Sequence, residues 1–308
     1  MAEVYDVLIV GGGPAGLTAG LYASRSRLKT LLVERGLFGG QITSADRVEN
    51  FPGFPQGITG PELGERMHQQ ATLYGLETQV AEVTGVEIAD DLKRVDSDHG
   101  SFRGRALVIA SGSQHRKLGV PGEEELAGRG VSYCATCDAP FFQGREVAVV
   151  GGGDVALAEA LYLARFASRV HIIHRRREFR ASAILQEQVR ALPRMDLHLE
   201  KVVTEVLGQE KVQGLRLKGV ARGEEGQLAV AGVFVAIGLE PNTAFLGRWL
   251  PLTPTGHIVT NSLMETPVSG VLASGDVRQD SARQAITAAG DGATAALSAL
   301  GYLRSQGR

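Results

Sequence analysis

The chain reads as an α/β protein with two Rossmann-like nucleotide-binding domains, the second inserted into the first. Three observations lead there. The stretch from Asp6 to Glu34 matches the stretch from Glu146 to His174 without a gap. Each copy runs from a short β-branched segment through a glycine turn into a helix pattern and a second strand. The part that follows Gly238 is too small for a nucleotide-binding core of its own, so it is expected to return and complete the first domain.

In the first copy Val7 to Val10 feeds into Gly11-Gly-Gly13-Pro14-Ala15-Gly16, and in the second Val147 to Val150 feeds into Gly151-Gly-Gly153-Asp154-Val-Ala156. Runs of this kind suit parallel strands buried on both faces. The first glycine makes the tight turn, the second lets backbone approach a pyrophosphate, and the third position must be small for helix and strand to pack closely. The helix start then points its N–H groups at the phosphates. Leu21-Tyr22 and Arg25 lie over Leu161-Tyr162 and Arg165 further along the copies.

The copies differ at the end of the second strand. Glu34 can accept hydrogen bonds from both hydroxyls of an adenosine ribose, which suits FAD or NAD. His174 holds that place in the second copy, followed by Arg175, Arg176, Arg177 and Arg180. Cations thus replace a carboxylate where a 2′-phosphate would sit, which suits NADP. Taken alone, such a cluster would be a solvated basic helix start, and its place in the repeat is what reverses that reading. Nucleic acid is a poor partner, because the formal net charge is -2 and no other basic block of this size exists.

Length and composition fit this scheme. The 308 residues, 44% of them apolar and 21% charged, allow two ordinary globular cores. No apolar run approaches the ~20 residues of a membrane span. The first residues carry no signal-peptide pattern, so a cytoplasmic protein without membrane association is expected. The two cysteines, Cys134 and Cys137, stand as C-x-x-C. Zinc would need about four ligands, and no second pair completes the set. A staple closing so short a loop would restrict the unfolded chain little. Against metal, staple and inert buried thiols, a redox-active dithiol is favoured.

Between the copies, a helix is expected from Glu62 to Tyr74, with strands near Glu77 to Val83, Arg94 to Ser97 and Ala106 to Ile109. Ser111 to Glu123, with its glycines and Pro121, has the composition of a crossing between domains. Val233 to Ile237 ends in Gly238-Leu-Glu-Pro-Asn, a second break. The chain continues through Gly256 to Ile258 and Val271 to Ser274 into Gly275-Asp276, then a helix from Ala285 to Leu303. Asp276 is expected near the flavin side of the first nucleotide, although a helix cap explains its spacing equally well.

With these features in view, the chain resembles the low-molecular-weight, bacterial-type thioredoxin reductases over essentially its full length. The blocks that carry the likeness are Gly11 to Gly16, Gly39-Gly40-Gln41, Val48 to Gly53, Cys134-Ala-Thr-Cys137-Asp138, Gly151 to Asp154, His174-Arg-Arg, Gly275-Asp-Val-Arg and Arg283-Gln284-Ala285. The resemblance implies a homodimer whose subunits have a discontinuous FAD domain, residues 1–115 and 246–308, and an inserted NADPH domain, residues 116–245. It implies that the first glycine turn, Glu34, Gly40, Gln41, Asn50, Asp276, Arg283, Gln284 and Ala285 hold FAD. By the same likeness the second turn binds NADPH, and His174, Arg175, Arg176 and Arg180 grip its 2′-phosphate. Cys137 would face the flavin, Cys134 would attack the disulfide of thioredoxin or a thioredoxin-like partner, and Asp138 would exchange protons with the dithiol. On the residues alone, the alternative and less favoured reading of Asp138 is a solvent-facing loop carboxylate.

Three positions depart from the family pattern. Val155 replaces a usual Ser or Thr, Ser111 a usual Thr, and Leu239 a common His. The rival readings are a flavin-dependent dithiol oxidase, a reductase of a glutaredoxin-like or peroxidase partner, and a nucleotide-binding protein without turnover.

Overall fold

A computed structural model describes residues 3–45, 47–89 and 91–307. The chain divides into two compact units, Met1–Gln114 with Glu240–Arg308, and His115–Leu239. The return into the first unit falls at Glu240, ahead of the expected 246, because the Asn242 N–H donates to the Gly112 carbonyl at 3.0 Å and the Thr243 hydroxyl to the Gly256 carbonyl at 3.1 Å. The crossing segments Ser113–His115 and Leu239–Pro241 pair in a two-stranded sheet.

In the first unit, strands Glu77–Val80, Thr30–Glu34, Val4–Val10 and Gly100–Ile109 lie side by side in parallel. Gly100–Ile109 is longer than its apolar half, Ala106 to Ile109, suggests. Its first half pairs antiparallel with Lys93–Ser97, and its second half pairs parallel with Val271–Ala273. Along Val4–Val10, Val7 and Ile9 enter one core while Leu8 and Val10 enter the other. Burial on both faces is why the run is continuously apolar. The expected strand from Glu77 to Val83 is two strands, Glu77–Val80 and Val83–Ile88, and Gly256 to Ile258 forms only isolated bridges through Ile258. The helices are Pro14–Arg25, Gly60–Thr72 and Ala285–Ser305, the second capped by Thr59, whose hydroxyl accepts from the Glu62 N–H at 3.3 Å.

The second unit repeats the plan. Met195–Leu199, Arg169–His174, Glu146–Val150, Gly232–Val235 and Val131–Ser132 form a parallel sheet. The register of the repeat is preserved: Val7 pairs with Thr30 in the first unit and Val147 with Val170 in the second. Helices Asp154–Leu163 and Ala183–Ala191 pack on one face. The other face is covered by an antiparallel sheet, Lys201–Gly208, Val212–Gly219 and Glu225–Leu228.

Candidate nucleotide sites and redox centre

In the first unit, strand Val4–Val10 ends at Gly11, whose φ of 107° excludes most side chains. A Cβ on Gly11 would lie 2.3 Å from the Ala110 carbonyl oxygen, and one on Gly16 would lie 1.8 Å from the Gly11 oxygen. These glycines are demanded by the fold. Gly13 is different: its φ of -75° suits any residue, and nothing lies nearer than 4.0 Å to its missing Cβ. The space over Gly13 is therefore left open beside the start of helix Pro14–Arg25, where first-turn N–H groups lack helical partners and no side chain caps them.

The other sequence-derived residues gather around this turn. Glu34 accepts the N–H of Gly12 at 2.5 Å and of Gly36 at 2.9 Å, so its carboxylate stands over the glycines. The Gly39 N–H donates to the Gly12 carbonyl at 2.8 Å, and a Cβ on Gly40 would lie 3.1 Å from the Gly13 Cα. Gln41 donates its side-chain amide to the Ser113 carbonyl, and Asn50 donates to Gln284 Oε1 at 3.2 Å. A Cβ on Gly275 would lie 2.9 Å from the Ala15 Cβ, which puts the Gly275-Asp276 turn beside the first helix start. Asp276 does not cap the long helix, whose N-cap is Gln284 ahead of Ala285; its Oδ1 accepts from the Ser281 hydroxyl at 2.7 Å. Burial pushes the Asp276 carboxyl above the ordinary aspartate range. Arg283 is exposed with φ 56°, its N–H donating to the Ser281 hydroxyl at 3.1 Å.

Two contributors escaped the sequence reading. Asp291 takes the Gly275 N–H at 3.1 Å and pairs with Arg278 Nε at 2.7 Å, bracing the turn that carries Asp276. A carboxylate amid the small apolar residues of Ala285–Ser305 was the available signal. His257 lies within electrostatic reach of Asp276 and Arg283; burial first, then Arg283, holds it below the ordinary histidine value.

In the second unit, a Cβ on Gly151 would lie 2.4 Å from the Ala236 carbonyl oxygen, while around Gly153 nothing lies within 4 Å. The middle position again leaves space that the protein does not fill. Asp154 accepts the Ser182 N–H at 2.8 Å, which holds its carboxyl below the usual aspartate range. Val155 is 51% exposed and adds nothing to the core.

His174 sits differently from the exposed arginines that follow it. It is buried, its ring lies 2.3 Å from where a Gly152 Cβ would stand, and its Nε2 is 3.1 Å from the Glu178 carbonyl. Burial, with added repulsion from Arg176, Arg180 and Arg175, holds its pKa below the ordinary value, so it is neutral at pH 7. The positive charge belongs to Arg175, Arg176, Arg177 and Arg180, all exposed and, among the described residues, without ion pairs.

The cysteines follow strand Val131–Ser132. Cys134 is the N-cap of helix Ala135–Asp138 and is disulfide-bonded to Cys137. The Ser132 hydroxyl donates to Asp138 Oδ2 at 2.6 Å and accepts the Cys134 N–H at 3.1 Å. Asp138 is therefore partly buried and hydrogen-bonded, not a solvent-facing loop carboxylate. Burial pushes its carboxyl above the ordinary aspartate value, with Ser132 opposing.

The pyridine nucleotide-disulphide oxidoreductase family model matches residues 5–292. The thioredoxin reductase of Bacillus subtilis strain 168 is 44% identical over 302 residues, covering 98% of this chain and 95% of that protein. The bifunctional thioredoxin reductase/thioredoxin of Mycobacterium leprae is also 44% identical, over 97% of this chain and 66% of that protein. Among solved structures, the thioredoxin reductase of Streptococcus pyogenes MGAS5005 superposes with a TM-score of 0.95 at 40% identity, over 99% of this chain and 100% of that one. A fold of two nucleotide units with a C-x-x-C disulfide thus defines a class: the chain belongs to the pyridine nucleotide-disulphide oxidoreductases. Within that family it is of the bacterial thioredoxin reductase type, an NADPH-dependent flavoprotein whose cofactors are FAD and NADPH. The open space over Gly13 and Gly153, each beside an uncapped helix start, fits such dinucleotides.

Proposed function

We propose that this chain delivers reducing equivalents from NADPH, by way of FAD, to the Cys134–Cys137 pair and on to the disulfide of thioredoxin or a thioredoxin-like protein. The observation that carries the reading is the disulfide beside the Ser132–Asp138 hydrogen bond, in a unit with its own nucleotide turn. FAD would be held in the first unit by Gly11 to Gly16, Glu34, Gly40, Gln41, Asn50, Asp276, Arg283, Gln284 and Ala285. Bound there, it supplies the exchange between hydride and thiol chemistry. NADPH would lie on Gly151, Gly153 and Asp154 in the second unit, its 2′-phosphate on Arg175, Arg176 and Arg180, with His174 packed beneath the turn.

The chain's own chemistry is thiol exchange. In the reduced pair the Cys134 thiolate attacks one sulfur of the partner disulfide; that S–S bond breaks, a mixed disulfide forms, and the partner's other sulfur leaves as thiolate. The Cys137 thiolate then attacks the Cys134 sulfur, releases the second partner thiolate and restores the Cys134–Cys137 disulfide. The two partner thiolates take up two protons. Asp138 holds and passes protons at Oδ1, since Oδ2 is engaged by Ser132, and its raised proton affinity suits that task.

Thioredoxin as the partner is supported by the Mycobacterium leprae relative, whose name joins a thioredoxin to the reductase. The family likeness extends the proposal to a homodimer working in the cytoplasm. Among the described residues no helix is long and apolar enough to cross a membrane. The test is anaerobic: NADPH should bleach the flavin absorbance, and oxidised thioredoxin should restore it. A Cys137→Ser variant should trap thioredoxin as a stable mixed disulfide through Cys134. Absence of bleaching with either NADPH or NADH would end the reading, and rapid oxygen uptake driven by a dithiol would favour an oxidase instead.

A further inference from the structure

Glu123 is a carboxylate that the chemistry above does not use. It is 1% exposed, and among the described residues no cation pairs with it. Its Oε1 accepts the Leu118 N–H at 2.9 Å and the Tyr133 hydroxyl at 2.9 Å, and its Oε2 accepts the Gly119 N–H at 2.8 Å. A buried carboxylate without a cation is costly unless its oxygens are engaged by donors. Here three donors from two segments converge on it, so it joins them.

Those segments are placed to matter. Leu118 and Gly119 come shortly after strand Ser113–His115, beyond Arg116 and Lys117, and the His115 ring lies 5.2 Å from the Tyr133 ring at 31°. Tyr133 is thus held at its ring by His115 and at its hydroxyl by Glu123. The turn carrying Glu123 is itself fixed, because the Val206 N–H donates to the Pro121 carbonyl at 2.9 Å and a Cβ on Gly122 would lie 2.1 Å from the Val206 oxygen. On either side of Tyr133 stand Ser132, which bonds Asp138, and Cys134. Burial and the Glu123 carboxylate also keep the Tyr133 hydroxyl protonated, so it remains a donor at every working pH.

We propose that Glu123 and Tyr133 act as a positioning latch, which holds the Ser132–Cys134 segment in the direction from which the Cys134 sulfur meets a partner disulfide. The proposal rests on Cys134 being the attacking thiol. Neither residue touches the reacting atoms, so the latch acts through the backbone that Tyr133 shares with Cys134.

Tyr133→Phe is the first test, because it keeps the ring and removes one donor. Two measurements on the full-length holoenzyme separate the outcomes. Amide hydrogen exchange should accelerate in the peptide spanning 131–138 and remain as in the wild type elsewhere. The kcat/KM for thioredoxin should fall about tenfold, as for a misplaced reacting group, while NADPH-driven reduction of ferricyanide, which bypasses the dithiol, should keep its rate. Glu123→Gln should act in the same direction, because its amide cannot accept both backbone N–H groups, and the double variant should be far from additive. If Glu123→Gln does not fold, Tyr133→Phe alone decides. Unchanged exchange at 131–138, or thioredoxin and ferricyanide rates falling together, overturns the latch. If the wild type itself fails to reduce thioredoxin, the functional reading falls, and the exchange experiment still decides whether the latch exists.

Discussion

Gly13→Ala and Gly16→Ala should separate what the fold requires from what a ligand requires. At Gly16 an added Cβ meets the Gly11 carbonyl oxygen at 1.8 Å, and that oxygen is a backbone atom, which cannot swing aside as the end of a flexible side chain can. Relief needs roughly an ångström of movement by the whole helix, and overpacking of this kind costs about 1–3 kcal/mol or more. The gain of about 1 kcal/mol from replacing glycine within a helix offsets only part of that. At about 2–4 °C per kcal/mol, flavin-stripped Gly16→Ala should melt several degrees below the parent. At Gly13 the φ of -75° is ordinary and the nearest atom is 4.0 Å away, so the chain accepts a methyl group. Alanine is a poorer N-cap than glycine by about 1 kcal/mol, and the stiffer unfolded chain returns about 0.4–1 kcal/mol. Flavin-stripped Gly13→Ala should therefore melt close to the parent, while its methyl group blocks the approach of a pyrophosphate. FAD affinity, followed by quenching of flavin fluorescence, should drop by about two orders of magnitude through loss of contacts at the helix start. If Gly13→Ala destabilises the stripped protein as much as Gly16→Ala, or binds FAD as the parent does, the assignment of Gly13 to the ligand is wrong.

Two further outcomes follow from charge. Arg175→Ala with Arg176→Ala removes two exposed guanidinium groups that form no ion pair among the described residues, so NADPH affinity should fall about 10- to 100-fold in line with lost charge-assisted bonds, and NADH affinity should hardly change; equal losses in a titration with both nucleotides would refute the 2′-phosphate assignment. Asp138 has a folded-state pKa above its ordinary 3.8, so the native protein holds that proton more tightly than the unfolded chain does. The stabilising contribution is then complete below the unfolded value and is lost as pH rises through the raised folded value. The Tm of oxidised Asp138→Asn should accordingly gain on the parent as pH is raised across that window, and Ser132→Ala should move the window upward; a difference that stays flat with pH would contradict the burial of this carboxyl.

The nucleotide units were legible because their signal is local. A β-branched run, three small positions and a strand end lie within thirty residues or so, and each is tied to its neighbour by backbone proximity. The third strand of each unit was visible as a strand, but its equivalence was not: Ala110 and Ala236 each close over the first glycine of a turn, at a spacing that differs between the units. The antiparallel sheet of Lys201–Gly208, Val212–Gly219 and Glu225–Leu228 went unread. Its strands bury one face only and interleave polar residues such as Lys218 and Gln227, so no apolar run marks them. Asp291 and Glu123 escaped for another reason: Asp291 takes an N–H from sixteen residues back in the chain, and Glu123 takes two from an irregular turn just before it, which no periodic pattern expresses.

His174 shows most clearly where pattern and physics part. Glu34 and His174 end equivalent strands, and they pack against Gly12 and Gly152, the residue just before the open glycine of each turn. A Cβ on Gly12 would lie 3.0 Å from the Glu34 side chain, and one on Gly152 would clash with the His174 ring at 2.3 Å. The shared task of that position is to seat the turn, which explains why each turn opens on three consecutive glycines and not on two separated ones. Its chemical output is what differs. The carboxylate of Glu34 accepts one N–H on each oxygen, from Gly12 and Gly36, and each oxygen keeps a lone pair that would receive a ribose hydroxyl. The imidazole of His174 is kept neutral by burial and by the arginines around it, so it removes the negative charge without supplying a positive one. On the proposed reading, selection of a 2′-phosphate would then fall to Arg175, Arg176 and Arg180 on the exposed segment beyond the strand. Replacing His174 should therefore disturb both nucleotides alike through the turn, whereas replacing the arginines should disturb only the phosphorylated one.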